Sequence, residues 1–317
     1  MKVVVTRKLP YDISGELKDF RLDYNNLDEP LPTIRLRQML TDAHGLICTP
    51  GDIIDRTTME SSPKLKVIAN YAVGYNNIDV DYARQRGIIV CNTPNVLTQS
   101  TAELGVALML ASARRLAEGD RTVRSGKFNG ATPNMYLGMN LYKKTLGIFG
   151  MGNIGQGVAK IASGFSMDII YHNRNRNSHA ELLLGATYAT FDELLEWSDF
   201  IIITAPLTEE TKHRFSLREF KKMKKNAVLI NIGRGPIVRE ADLVTALKDG
   251  LIFSAGLDVY EFEPNVNETL KSMDNVTLLP HIGSATAETR AAMAKMCVSS
   301  ILSVLKNNIT PDNAITK

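Results

Sequence analysis

The sequence predicts an α/β protein of doubly wound parallel sheets, divided into two domains. Three observations carry this. Short runs rich in β-branched residues alternate with longer helical patterns, which implies right-handed crossover units. Several runs are apolar nearly throughout, as strands buried on both faces of a parallel sheet must be. The chain has 317 residues, more than one ordinary domain needs.

The strand-like runs fall at residues 3–6, 45–49, 67–71, 88–92, 145–149, 168–172, 200–205, 227–232 and 254–259, with a further run at 276–279. Residues 101–116 form a long, largely apolar helical segment, with Ser100 or Thr101 as its cap and Glu103 in its first turn. Residues 124–144 contain Gly126, Gly130, Pro133 and Gly138 and are expected to form a loop. An amphipathic helix is expected at 288–306.

Composition narrows the function classes. The net charge is +3, and the densest basic run, Lys221-Lys222-Met223-Lys224-Lys225, lacks interleaved aromatics. A solvated face at a helix end explains it better than a nucleic-acid groove. Cys48, Cys91 and Cys297 are too few and too scattered for a disulfide framework or a zinc site, so small core residues in a reducing compartment are expected and no metal. The first residues resemble a strand rather than a signal peptide, and no apolar stretch reaches membrane-spanning length. A cytoplasmic protein without membrane or nucleic-acid partners is the expectation.

The segment Gly150-Met151-Gly152-Asn153-Ile154-Gly155 follows the run 145–149 and opens a helix at 156–164, before a second strand at 168–171. This strand–turn–helix–strand context is what the dinucleotide fingerprint requires. Gly150 permits the turn, Gly152 lets the backbone approach a pyrophosphate, and Gly155 lets helix and strand pack closely. The helix N-terminus then offers free N–H groups and partial positive charge. Beyond the second strand stand Asn173, Arg174 and Arg176 where NAD sites usually carry a carboxylate. Two guanidiniums able to grip a 2′-phosphate predict NADP(H) as the preferred cofactor, with NAD(H) possible.

Three polar residues follow strand-like runs farther on: Arg234 between two glycines, Glu263 before Pro264, and His281 after Pro280. Each alone has an ordinary structural explanation. Together, beside a dinucleotide motif and at strand ends where α/β sheets bind ligands, they supply a cation, a carboxylate and an acid/base.

At these residues the chain resembles the D-isomer-specific 2-hydroxyacid dehydrogenase family over nearly its whole length. It is most similar to the glyoxylate/hydroxypyruvate reductase branch, with its related 2-ketogluconate reductases. The matching segments are Val73-Gly74-Tyr75-Asn76-Asn77-Ile78-Asp79, residues 150–155, Ala205-Pro206-Leu207-Thr208, residues 231–235, Gly256-Leu257-Asp258-Val259 with Glu263-Pro264, and residues 280–286. The resemblance implies two Rossmann-like domains with the active site in the cleft between them. The discontinuous, flavodoxin-like substrate domain would span 1–98 and 287–317, and the NAD(P)-binding domain 99–286. It implies a homodimer in contact through the 101–116 helix and the loop after it.

Residue by residue, it makes His281 the acid/base, Glu263 its partner in keeping the imidazole protonated, and Arg234 the group that binds the carboxylate and keto oxygen. The N–H groups of Val73 and Gly74 would also grip the carboxylate, and Ser284 would border the substrate. Asp258 would hold the nicotinamide carboxamide. Gly152, Asn153 and Ile154 would face the pyrophosphate. Thr101, Ala205, Pro206, Thr211, Ile232, Gly233 and Gly283 would line the cofactor groove.

The chain departs from the branch at 133–138, where Met135 and Tyr136 replace a partner-subunit tryptophan seen in some relatives; the only tryptophan, Trp197, is expected on a cofactor-domain helix. Formate dehydrogenases carry a glutamine where Glu263 stands, and phosphoglycerate dehydrogenases an acidic residue at the position of Asn173. The alternative from another class is a dinucleotide-sensing, corepressor-like binding protein without significant turnover.

Overall fold

Valine, isoleucine and leucine runs such as Lys2–Val5 (β1) lose both faces to solvent exclusion, and that burial is what selects the strand. The computed structural model describes residues 1–316; Lys317, the last residue of the expected substrate domain, lies outside the described residues. The chain forms two compact units, residues 1–97 with 284–317, and residues 98–283.

The first unit holds β1, β2 (Arg21–Tyr24), β3 (Gly45–Cys48), β4 (Val67–Asn70) and β5 (Ile89–Cys91) in the all-parallel order β2-β1-β3-β4-β5. Helices α1 (Thr33–Leu40), α2 (Arg56–Glu60) and α3 (Val80–Gln85) connect them. Asp55 and Asp79 cap α2 and α3 by accepting from the N–H groups of Thr58 and Tyr82. The chain's last helix, α12 (Ala287–Leu305), packs on this sheet: a Cβ at Gly45 would lie 3.1 Å from both Ile301 and Leu305. The edge strand β2 was not expected; its Arg-Leu-Asp-Tyr sequence carries neither alternation nor an apolar run.

The second unit opens with α4 (Thr98–Ala113) and α5 (Leu116–Arg124), and a sheet follows. Its strands are β6 (Thr145–Phe149), β7 (Asp168–His172), β8 (Thr187–Tyr188), β9 (Phe200–Ile203), β10 (Val228–Asn231), β11 (Ser254–Leu257) and β12 (Val276–Leu278). Their order, all parallel, is β12-β11-β10-β9-β6-β7-β8. The connecting helices are α6 (Asn153–Ala162), α7 (Ser178–Leu184), α8 (Phe191–Trp197), α9 (Leu217–Phe220), α10 (Glu240–Lys248) and α11 (Glu268–Ser272). Trp197 ends α8 and is half exposed.

The long apolar helix starts and stops three residues earlier than its sequence pattern indicates. Ser100 and Thr101 lie inside the helix rather than at its N-cap, and burial of Ser100, Thr101 and Ala102 extends its packed face into the preceding turn. It ends where Arg115 takes φ +54°, in the left-handed region, and α5 then begins within the stretch expected to be its tail and loop. Both faces of α4 are occupied. A Cβ on Gly105 would lie 2.7 Å from Ile232 Cδ1 and 2.8 Å from Ile202 Cδ1, and one on Gly157 of α6 would lie 2.9 Å from the Cβ of Ala102. Fully buried Ile201, Ile202 and Ile203 of β9 anchor the sheet, at about 1.5–3 kcal/mol per side chain removed from water. All three cysteines are buried and none is in a disulfide. Among the described residues no helix is long and apolar enough to cross a membrane.

Candidate active site at the carboxyl edge of the seven-stranded sheet

In the second unit β6 lies between β7 and β9, so the chain reverses its direction of travel across the sheet there. Such a switch point leaves a crevice at the carboxyl ends of the strands. The turn after β6 fills the requirements for a phosphate site. Gly150 has φ +109°, and a Cβ there would lie 2.6 Å from the nitrogen of Ala205. A Cβ on Gly155 would collide with the carbonyl oxygen of Gly150, so the helix can approach its strand only at a glycine. Gly152, the N-cap of α6, supplies no side-chain acceptor for the first-turn N–H groups, and the space where its Cβ would lie is open. Asn153 and Ile154 form the first turn. A helix N-terminus without a side-chain cap, its positive end and the open space beside Gly152 fit a dinucleotide pyrophosphate.

Two asparagines brace this turn, of which the sequence singled out only Asn173, as a cofactor residue. Asn173 accepts a hydrogen bond from Met151 N (2.7 Å) through its side-chain oxygen. Asn177 donates from Nδ2 to the Met151 carbonyl (2.9 Å). The two guanidiniums beyond β7 are not equivalent. Arg176 donates from Nε (3.1 Å) and Nη2 (2.9 Å) to the carboxylate of Glu181, which Tyr171 also binds. The expectation of two available guanidiniums is therefore corrected to one: a carboxylate seven residues after Arg174 has taken the other. Arg174 is 79% exposed and 3.9 Å from Glu210.

Ala205 and Pro206 follow β9, and Thr211 ties its hydroxyl back to the Pro206 carbonyl (2.8 Å), closing the turn beside them. Ile232 and Gly233 follow β10, and a Cβ on Gly233 would lie 2.9 Å from the Ala205 carbonyl oxygen. Thr101 of α4 is buried, and its Cγ2 lies 3.3 Å from where a Cβ on Gly283 would be.

Arg234, Glu263 and His281 follow β10, β11 and β12, three consecutive neighbours in the sheet. Gly235 sets the first of them: a Cβ there would overlap the backbone of Tyr260 and Glu261, so only glycine lets the Arg234 loop lie against the segment leading to Glu263. Arg234 is further held by Asn231, whose Nδ2 donates to its carbonyl (3.1 Å), and its Nη1 donates to the Gly233 carbonyl (2.7 Å). Burial pushes its guanidinium pKa down, and the charge of Glu263 opposes that. Glu263 accepts from the Tyr260 N–H (3.0 Å) with one oxygen and bonds His281 Nδ1 (2.9 Å) with the other. Burial raises its pKa, but the His281 hydrogen bond and charge, the Tyr260 N–H and Arg234 together hold it below the usual carboxylate value. An ionised carboxylate only accepts, so Nδ1 carries the proton of this bond and Nε2 is left for chemistry. His281 itself has φ +55°, a conformation that tends to persist where function requires it.

Asp258 sits at the end of β11, and both its oxygens are taken: Oδ1 accepts from Ile282 N (2.8 Å) and Oδ2 from Gly283 N (2.9 Å). Burial raises its pKa against those two bonds. It therefore clamps the loop that carries His281. A second histidine–glutamate pair, His213 Nε2 to Glu261 Oε1 (2.6 Å), lies nearby in sequence but is structural: Glu261 also accepts from the Glu240 N–H (2.9 Å) at the start of α10.

In the first unit, Val73 and Gly74 follow β4. The Ala72 carbonyl accepts from Thr93 N (2.9 Å) and the Val73 carbonyl from Asn92 Nδ2 (2.8 Å). In a planar trans peptide the following N–H points the opposite way, so the N–H groups of Val73 and Gly74 face together away from Asn92 and Thr93. Asn70 fixes the next carbonyl, that of Gly74 (2.8 Å). Asn70 and Asn92 were not singled out from sequence; only the folded loop shows what they hold. Ser284 belongs to this unit, and its carbonyl accepts from Arg290 Nε (3.2 Å).

A parallel sheet with an uncapped, glycine-led helix at its switch point defines a dinucleotide-binding protein. A histidine–carboxylate pair and a guanidinium at neighbouring strand ends place it among the nicotinamide-dependent oxidoreductases. The chain belongs to the D-isomer specific 2-hydroxyacid dehydrogenase family, whose NAD-binding domain profile matches residues 106–283. It is 44% identical to the glyoxylate reductase of Pyrococcus furiosus over 98% of this chain and 94% of that protein. Among solved structures it is similar to a glyoxylate reductase from Paecilomyes thermophila (TM-score 0.89, 32% identity, 99% of this chain and 98% of the other). It is also similar to the NADPH-dependent glyoxylate/hydroxypyruvate reductase of Sinorhizobium meliloti, solved with NADP and malonate (TM-score 0.86, 33% identity, 99% and 96%).

Proposed function

We propose that this protein reduces glyoxylate and hydroxypyruvate, giving glycolate and D-glycerate, with NADPH as the preferred reductant. The observation that carries the reading is the His281–Glu263 pair (2.9 Å) next along the sheet edge to Arg234. A dinucleotide held at the glycine turn after β6 would supply the hydride that the keto carbon receives. His281 gives its Nε2 proton to the keto oxygen as negative charge grows there, and Arg234 stabilises that charge and the neighbouring carboxylate. Glu263 orients the imidazole by accepting from Nδ1, which leaves Nε2 for the keto oxygen. The Val73 and Gly74 N–H groups of the first unit, which we assign to substrate binding with Ser284, take the carboxylate. Asp258 keeps the His281 loop in place through Ile282 N and Gly283 N, and we assign it to the nicotinamide carboxamide. The second unit holds the dinucleotide through Gly150, Gly152, Asn153, Ile154 and Gly155, with Thr101, Asn173, Ala205, Pro206, Thr211, Ile232, Gly233 and Gly283 around it.

The NADPH preference rests on Arg174 and on the missing carboxylate at Asn173, and is supported by the NADPH-dependent relative. A homodimer is part of the reading: α5 buries none of its residues, and Leu116, Val123, Phe128, Leu137 and Tyr142 are exposed along and after it. A cytoplasmic setting is part of the reading, with three buried cysteines and no disulfide among them. The cofactor-sensing alternative draws no support from the relatives, whose names, where they state an activity, are those of reductases and dehydrogenases. Initial rates with glyoxylate and hydroxypyruvate against each reduced cofactor test the proposal. NADPH should give at least about tenfold higher kcat/KM than NADH, and Arg174→Ala should erase most of that ratio through KM, as expected for loss of one charged contact. Equal or better kcat/KM with NADH would overturn the preference.

A further inference from the structure

The first unit contains a cation that the proposed mechanism leaves unused. Its sheet order β2-β1-β3-β4-β5 has its own switch point between β1 and β3, where ligands gather at the carboxyl ends of the strands. Arg7 stands two residues past the end of β1, on the carboxyl side of that switch point. Its side chain is partly buried, and its Nε is buried without a hydrogen-bond partner among the described residues. A desolvated N–H without a partner is costly, and it marks a guanidinium that no group among the described residues has claimed; its terminal nitrogens, which are not among the buried unpartnered atoms, are the part an outside ligand can reach.

The local carboxylate does not do so. Asp52, in the loop after β3, is turned to other donors: its Oδ2 accepts from Thr6 Oγ1 (2.6 Å), Thr49 N (2.7 Å) and Thr49 Oγ1 (2.9 Å). The guanidinium instead extends over that loop, with Nη2 3.8 Å from where a Cβ on Gly51 would be. The β3 loop lies between the β1 and β4 ends, and β4 leads to Val73 and Gly74. Two strand spacings, about 10 Å, separate the β1 and β4 ends, and the Arg7 side chain reaches into that interval.

We propose that Arg7 is a specificity-determining residue that binds a second carboxylate, at the far end of the substrate from the one gripped by Val73 and Gly74. This rests on the reading of that loop as the substrate-carboxylate site. It extends the substrate class from glyoxylate to small 2-keto dicarboxylates.

The probes are glycolate and tartronate, which is glycolate with a second carboxylate. Their dissociation constants are measured by calorimetry on the full-length protein saturated with NADP+, so turnover is not needed. Wild type should bind tartronate at least about tenfold more tightly than glycolate, the worth of one charge-assisted contact. Arg7→Met should collapse the ratio to about one and leave glycolate within about twofold. Gly51→Asp, on an exposed loop, keeps Arg7 but places a carboxylate beside its guanidinium, and should collapse the ratio in the same way. No tartronate advantage in wild type, a ratio unchanged in both variants, or a parallel loss of glycolate would overturn the proposal. Failure to reduce glyoxylate in wild type would instead count against the proposed function, and the binding ratio would still decide the role of Arg7.

Discussion

Replacing His281 with alanine is expected to lower kcat for glyoxylate reduction by about 10²–10⁴-fold, the usual worth of a positioned general acid. Cofactor affinity should change little. The loop that carries His281 is held through backbone N–H groups of Ile282 and Gly283 to Asp258, and alanine removes neither. Glu263 keeps its Tyr260 N–H bond (3.0 Å), so the carboxylate stays in place while its imidazole partner is lost. Steady-state kinetics and a cofactor titration on the same preparation separate the two effects. Turnover near the wild-type rate would remove histidine from the mechanism.

Arg234→Met should lower kcat/KM by roughly 10²–10³-fold, comparable to removing one donor to a developing oxyanion. KM should rise and kcat fall together, because the same guanidinium serves the bound carboxylate and the charge that grows on the keto oxygen. Arg234→Lys should recover little of the loss. The loop geometry fixed by Asn231 and Gly235 presents a planar fork, with Nη1 already committed to the Gly233 carbonyl (2.7 Å), and a point charge on a flexible stem does not reproduce it. A rise in KM with kcat unchanged would reduce Arg234 to a carboxylate anchor.

Much of the architecture is legible in the sequence because parallel strands buried on both faces must be apolar without interruption. Phe200-Ile201-Ile202-Ile203 and Val228-Leu229-Ile230 permit no other assignment once length and flanking turns are considered. The same logic hides β2 and β8. Both are edge strands of their sheets, partly exposed, and held by backbone pairing that leaves no apolar pattern. The break between α4 and α5 is invisible for another reason: an arginine, not a glycine, adopts the left-handed conformation at 115.

The candidate site divides along similar lines. Arg234, Glu263 and His281 are legible because each directly follows a recognisable strand, and ligands collect at strand ends. What braces them is not. The Asp258 clamp, the Asn92 and Asn70 bonds that turn the Val73–Gly74 peptides, and the Asn177 bond to the glycine turn join residues whose pairing exists only after folding. The pairing of Arg176 with Glu181 shows the risk of counting charges in a linear motif: one of two apparent phosphate ligands is already satisfied inside the protein.

The most direct test of the central claim is the product formed from hydroxypyruvate and NADPH, resolved on a chiral column. A family site with His281 and Arg234 on one sheet edge predicts rapid NADPH consumption and D-glycerate as the only enantiomer. L-glycerate, or no product from protein that demonstrably binds NADPH, would contradict it.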